Sequence, residues 1–192
     1  MESKNSMNLK EKYEKIVVPE MIKKFGYKNK FQVPRLEKVV LNVGFGKMVL
    51  QKTKQEAEKM INTILEDLKM ISGQKPVLTL ARKSISGFKL KKGEPVGAKV
   101  TLRKKRMYDF VEKLINISLP RIRDFKGIPV KSVNERGILT IGIKEHLCFP
   151  EISLEKVKFP FGLEVTLVTT AKKREEAIEL FKLLGFPIKT AD

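Results

Sequence analysis

Apolar residues recur along this chain at two spacings, and the switches between them predict its elements. Leu9, Tyr13, Ile16, Val17, Ile22 and Phe25 fall near helical spacing over residues 8–25, with Gly26 as the stop. Pro19 lies inside that run, so the helix is expected to kink or split there. Leu36–Val43 alternates instead: Val39, Leu41 and Val43 take one face, Lys38, Val40 and Asn42 the other. A long helical stripe follows over about residues 53–72, made of Ala57, Met60, Ile61, Ile64, Leu65, Leu68 and Ile71 and ended by Gly73. Residues 76–81 read as a strand. Ala98–Arg103 is a clearer one, with Ala98, Val100 and Leu102 inward and Lys99, Thr101 and Arg103 outward. Met107–Leu119 reads as a helix burying Phe110, Val111, Leu114 and Ile115, closed by Pro120. Strands at Ile138–Lys144 and Leu163–Thr169 and a helix at Lys172–Leu184, capped by Gly185, complete the set.

The order helix, β, α, β, β, α, β, β, α predicts an α+β fold. Its form is a single mainly antiparallel sheet with helices packed on one face, of the split βαβ or RRM-like type. A length of 192 residues suits one domain with a core that needs no staples. Residues 1–7 read as a flexible N-terminal extension, and residues 74–97 as a basic mobile loop region broken by Gly, Ser and Pro. No repeat or low-complexity tract interrupts the pattern.

Charge changes the picture next. Forty Lys and Arg against twenty-two Asp and Glu leave a net +18. Between Arg82 and Arg106 ten residues are basic and one is acidic, whereas residues 150–192 hold seven of each. A field concentrated in this way points to a polyanion, nucleic acid before an anionic membrane surface. Lys38, Asn42, Lys99, Thr101 and Arg103 are expected to share the open face of the sheet. Residues two apart on a strand lie about 6.6 Å apart, a grid of donors suited to the phosphates and 2′-hydroxyls of structured RNA. Around Phe88, the small residues Ser84, Ser86, Gly87, Gly93, Pro95 and Gly97 allow close backbone approach to a phosphate. Phe88 itself reads either as a base-stacking ring among cations or as a loop aromatic tucked into the core.

Catalytic chemistry finds little support. Gly44-Phe45-Gly46-Lys47 follows a strand and precedes a helix, but it lacks the Walker spacing and the third glycine of a dinucleotide fingerprint. A tight turn is the better reading. His146 and Cys148 lie two apart with nothing to orient the imidazole. One cysteine forms no internal disulfide, and paired Cys/His zinc spacings are absent. Neither a metal nor a cofactor is expected, and the chain is not expected to be an enzyme. No run of about 18 apolar residues spans a membrane, and the first residues lack a signal-peptide core. The reducing cytoplasm is the expected location.

Several stretches carry a family resemblance. They are QVPRLEKVVLNVGFG (Gln32–Gly46), ISGQKPVLTLARKSISGFKLKKGEPVGAKVTLRKKRMYDF (Ile71–Phe110), LPRIRDFKGI (Leu119–Ile128), KEHLCFPEI (Lys144–Ile152) and TTAKKREEA (Thr169–Ala177). In colinear order over about residues 10–188, the chain resembles the bacterial-type large-subunit ribosomal protein five family, which binds 5S ribosomal RNA. The resemblance implies a place in the central protuberance of the large subunit, cytoplasmic or organellar. The implied partners are 5S rRNA, the 23S-type large-subunit rRNA, P-site tRNA and neighbouring ribosomal proteins, including one in the small-subunit head. Carried over by motif, Asn42 and Gly44 of LNVGFG and Lys83, Ser84 and Phe88 of ARKSISGF fall in the rRNA-binding set. Arg121, Arg123 and Asp124 of RIRDF fall at its edge, and Gln74, Lys75 and Arg82 match the loop facing tRNA. The chain departs from the family pattern in four places. The helix after GFGK is about two turns longer than usual, Leu80 stands where a basic residue is common, Lys158–Phe161 replaces a mixed Asp/Arg stretch, and residues before Asn8 extend the N-terminus. The other reading is a free RNA-binding assembly factor or RNA chaperone built on the same sheet.

Overall fold

The computed structural model describes residues 7–49, 52–88, 90–153, 155 and 157–189, with Phe88 described by its backbone alone. The N-terminal extension through residue 6, Lys89 and the Phe88 side chain therefore lie outside the described residues. In chain order the elements are α1 (Leu9–Lys12), a π turn (Tyr13–Val17), α2 (Val18–Phe25), β1 (Leu36–Gly44), α3 (Gly46–Val49) and α4 (Lys54–Ser72). They continue with β2 (Val77–Leu80), β3 (Pro95–Leu102), α5 (Lys104–Lys113), a second π turn (Leu114–Ser118), β4 (Leu139–Ile143), β5 (Leu163–Thr169) and α6 (Arg174–Leu184). The five strands form a single antiparallel sheet in the order β2-β3-β1-β5-β4, which is the expected α+β fold.

Local chemistry explains most boundaries. Asn8 starts α1 by accepting the Glu11 N–H on Oδ1 at 2.9 Å. Pro19 does not break the helix; it sits in the first turn of α2, directly after the π turn. A wider turn makes room for the ring and needs no N–H at that position. Thr53 and Glu56 cap α4 reciprocally in a capping box. Gly73 ends α4 at φ 64°, a left-handed conformation that glycine adopts without steric cost. Arg103, expected as the last residue of a strand, is instead the extended N-cap of α5, which begins three residues earlier than the apolar stripe suggests. Leu65 and Ile115 are half-buried flanks of their helices, not core.

The chain divides into two compact units. The first comprises the segment up to Val39, Arg103–Ile141, and the segment from Thr166 onward. Its core includes Val17, Met21, Val111, Leu114, Leu180 and Phe181, with the Phe181 and Phe186 rings edge to face at 5.5 Å. Lys24 Nζ meets Glu179 at 2.7 Å, and Lys12 Nζ donates to the Leu184 carbonyl at 2.9 Å. Within the second unit, Val40–Leu102 and Gly142–Val165, α4 lies against β3. Leu41, Val43, Phe45, Ile64, Leu68 and Phe149 are fully buried there.

Gly97 fixes the spacing of this second unit. A Cβ at that position would lie 2.5 Å from the Val43 carbonyl oxygen and 2.8 Å from Thr79 Oγ1. The Thr79 hydroxyl can turn aside, but the Val43 carbonyl belongs to the backbone of β1 and cannot retreat cheaply. Gly97→Ala should therefore lower the denaturant midpoint by the equivalent of about 1–3 kcal/mol, the usual range for overpacking. Gly44→Ala meets nothing within 4 Å and should stay within about 0.5 kcal/mol of the parent. Parallel urea titrations check both.

Candidate nucleic-acid interface

Strand alternation builds the first part of the site. Along β1 the buried Val39, Leu41 and Val43 leave Asn42 and Gly44 exposed. On β3, Ala98, Val100 and Leu102 are buried, Lys99 is exposed and Thr101 half-buried. Asn42 and Gly44 line a shallow groove of about 370 Å³ together with Gly142, Ile143, Lys144, Gly162, Leu163 and Glu164. Gly162 is tightly packed, since a Cβ would lie 3.2 Å from the Ile143 and Lys144 carbonyl oxygens. Gly44 and Gly142 are not, because nothing lies within 4 Å of their would-be Cβ atoms. Their bare backbone faces solvent, open to a ligand's close approach. The groove thus offers an amide, a lysine ammonium, a carboxylate and accessible main chain, which suits hydrogen-bonded recognition of a polar ligand.

The β2–β3 hairpin carries the residues expected to face tRNA. Val77 pairs with Lys99 and Leu78 with Ala98, and the register shifts between Thr79 and Leu80. Lys75, Arg82, Lys83 and Ser84 are all exposed. Gln74 behaves differently: its Nε2 donates to the Thr101 carbonyl at 3.2 Å, so the side chain is committed to the end of β3. The hairpin tip is knit by its own hydrogen bonds. Ser84 Oγ accepts the Lys92 N–H at 2.9 Å, Glu94 Oε2 accepts the Lys91 N–H at 2.9 Å, and Ile85 and Leu90 exchange backbone bonds. Exposed Val77 and Leu80, at 61% and 54%, give this edge an apolar stripe among cations.

In the other unit, Lys38 and Arg103 are brought together by a residue the pattern did not single out. Glu37 Oε1 lies 3.6 Å from Arg103 Nη1 and 3.9 Å from Lys38 Nζ. Leu36 and Val39 are both buried, so the start of β1 turns Glu37 and Lys38 out together instead of alternating them. That step was the available signal. Arg121 and Arg123 are exposed in the turns after the second π turn, beside Asp124 at φ 56°. Aspartate tolerates this left-handed conformation better than most side chains.

The His146–Cys148 pair is part of the core. Both residues are buried, and the imidazole stacks on the Phe161 ring at 3.9 Å with the planes 9° apart. Nδ1 lies 3.3 Å from both the backbone nitrogen and the carbonyl oxygen of Phe161, so it faces a donor and an acceptor of the same residue. Nε2 lies 3.5 Å from Asp67 Oδ2. Burial pushes the imidazole below its usual 6.5, opposed by the Asp67 carboxylate, and burial raises Asp67 above 3.8. A substrate has no route to either His146 or Cys148. Among the described residues no group of three or more His, Cys, Asp or Glu is placed to hold a metal, and no helix is long and apolar enough to cross a membrane.

Two family models match the chain. One, describing the C-terminus of the ribosomal L5 family, matches residues 95–188, and the other, described as ribosomal protein L5, matches residues 29–91. Among relatives, the chain is 53% identical over 179 residues to the large ribosomal subunit protein uL5 of Caldanaerobacter subterraneus subsp. tengcongensis, covering 93% of this chain and 97% of that one. It is 50% identical to the protein of the same name from Halothermothrix orenii, with the same coverage. The Clostridium tetani protein of that name is also 50% identical, over 93% of this chain and 96% of its own.

The buried imidazole gives the second unit a pH signature. Folding holds His146 neutral where the unfolded chain would take a proton, so its contribution is fully present above about pH 6.5 and lost as pH falls below it. Asp67 acts with the opposite sign, at lower pH, because its folded value is raised. His146→Asn keeps an acceptor for the Phe161 N–H and cannot titrate. The variant should be less stable throughout but should lose the fall in unfolding free energy between about pH 7 and 5. Urea unfolding across that range reads the slope, and an unchanged slope would assign it to other groups.

Proposed function

The chain belongs to the ribosomal protein L5 family and is a structural constituent of the large ribosomal subunit, not an enzyme, and from that premise we propose that its exposed strand residues hold 5S ribosomal RNA. The observation that carries this reading is the groove containing Asn42 and Gly44, where two glycines are bare toward solvent with no packing reason to be so. Asn42 and Lys144 donate to phosphate or 2′-hydroxyl oxygens, and Glu164 accepts from a base amino group or a hydroxyl. Lys99 supplies charge from β3 and Lys83 from near the hairpin tip, where the Ser84 hydroxyl adds a polar contact. Lys38, Arg103, Arg121 and Arg123 extend the RNA contacts from the other unit.

A second contact is assigned to the hairpin edge. Lys75 and Arg82 reach P-site tRNA, and Leu80, standing where the family commonly has a cation, weakens the contact at that point. Gln74 serves this contact indirectly, by securing the hairpin to Thr101. Neighbouring proteins, one of them in the small-subunit head, and 23S-type rRNA complete the partners of this reading.

Three measurements test it. With on the order of six phosphates neutralised, log K for 5S rRNA should fall against log salt with a slope of about −4 to −5; a slope near zero removes the basic surface from the interface. Asn42→Ala and Lys99→Ala should weaken 5S rRNA binding. Lys75→Ala and Arg82→Ala should spare it and reduce retention of P-site tRNA on assembled ribosomes; equal 5S losses in both groups would leave one continuous interface. Glu37→Gln releases Arg103 and Lys38 from their shared carboxylate. It should tighten RNA binding and steepen the salt slope by up to about one contact; no change would place those two cations outside the interface.

A further inference from the structure

Phe31 is the most exposed large apolar side chain among the described residues, at 81%. Phenylalanine normally gains from burial of most of its surface, and here the backbone holds it out. Asn29 Oδ1 accepts the Phe31 N–H at 3.0 Å, and the Asn29 carbonyl accepts the Gln32 N–H at 3.0 Å. The Val33 N–H donates to the Lys30 carbonyl at 3.3 Å, and Gln32 Oε1 reaches back to the Lys28 N–H at 3.3 Å. These bonds close a single 3-10 turn, Lys30–Gln32, anchored behind by buried Val33. The ring is a presented surface, not a frayed loop.

Its surroundings indicate what it meets. Lys30 Nζ sits 5.5 Å from the ring centroid, over one face. From Lys23 to Arg35 the chain carries five basic residues (Lys23, Lys24, Lys28, Lys30, Arg35) and no acidic one. Lys24 is engaged by Glu179, and Lys30 is the cation placed directly against the ring. An exposed ring with a lysine over one face, in a segment without acidic residues, suits an unpaired base, which stacks on the π-face while the lysine meets a flanking phosphate. A neighbouring protein's apolar pocket would gain nothing from the cations.

We propose that Phe31, backed by Lys30, is a stacking platform for one unpaired base of large-subunit ribosomal RNA, a contact additional to those of the strand residues. It rests on the family's ribosomal RNA binding and not on the assignment of 5S rRNA to the groove. The test uses the full-length chain. A photoreactive benzoylphenylalanine substituted for Phe31 should, in assembled large subunits, crosslink to a ribosomal RNA nucleotide. A crosslink to a ribosomal protein, or to neither, overturns the proposal. Phe31→Ala should lower affinity for purified 5S or 23S-type rRNA, each measured separately, by about fivefold or more on one of them, the low end of what one base stack contributes. Phe31→Tyr should restore it, while Phe31→Leu, apolar but without a π-face, should not. Retention of full affinity by the Ala or the Leu variant would also overturn it. Because the side chain is exposed, all three should unfold at the parent midpoint. Failure of the groove assignment would show in Asn42→Ala alone, so the two readings fail separately.

Discussion

Strand β3 runs so close to its neighbours at residue 97 that a side chain there would have to push them apart. The Val43 carbonyl and the Thr79 hydroxyl both crowd the place a Cβ would take. With β1 and β2 drawn in this closely, the Phe45 N–H reaches the Val96 carbonyl at 3.0 Å, and the turn after β1 is fixed. Two-residue alternation then carries the consequence along the strand, putting Lys99 out and Val100 and Leu102 in. A chemical grid on a sheet is only as regular as its strand spacing, and here the spacing depends on an absence.

Electrostatics is more mixed than a net +18 implies. The strongest local fields are moderated by carboxylates placed among the cations: Glu37 between Lys38 and Arg103, Glu94 at the hairpin tip, Glu164 in the groove. At the exposed Glu37 pairs the carboxylate contributes little to stability. What it changes is the state of the cations before a polyanion arrives, holding guanidinium and ammonium in place at the cost of part of their charge. Glu164 acts by chemistry instead of charge, since it adds an acceptor to a surface otherwise dominated by donors.

The faces of β1 and β3, the α4 stripe and the order of all the main elements were legible in the periodicity, because each depends on neighbours within one element. Asn42, Gly44 and Lys99 were legible as exposed for the same reason. What escaped depends on neighbours far along the chain. Gly142 and Gly162 join Asn42 only through strand register, which no single-strand pattern encodes. Glu37 escaped because the twist at the start of β1 breaks strict alternation, and Gln74 because its partner is a backbone carbonyl 27 residues away. The two π turns were invisible except for the hint at Pro19. Phe31 lies where the chain has no period to read, so its outward pose emerges only from the bonds that Asn29 and Gln32 make.

Strand β2 stands at the end of the sheet, and its outer edge has no strand beside it among the described residues. It is short, exposes Val77 and Leu80, and changes register partway along. An uncovered edge with apolar side chains is a template on which another chain can add a strand. Brevity, the register shift and the flanking Lys75 and Pro76 are the features that discourage such growth. A free copy of the chain therefore depends on those features to keep the edge of its sheet unpaired.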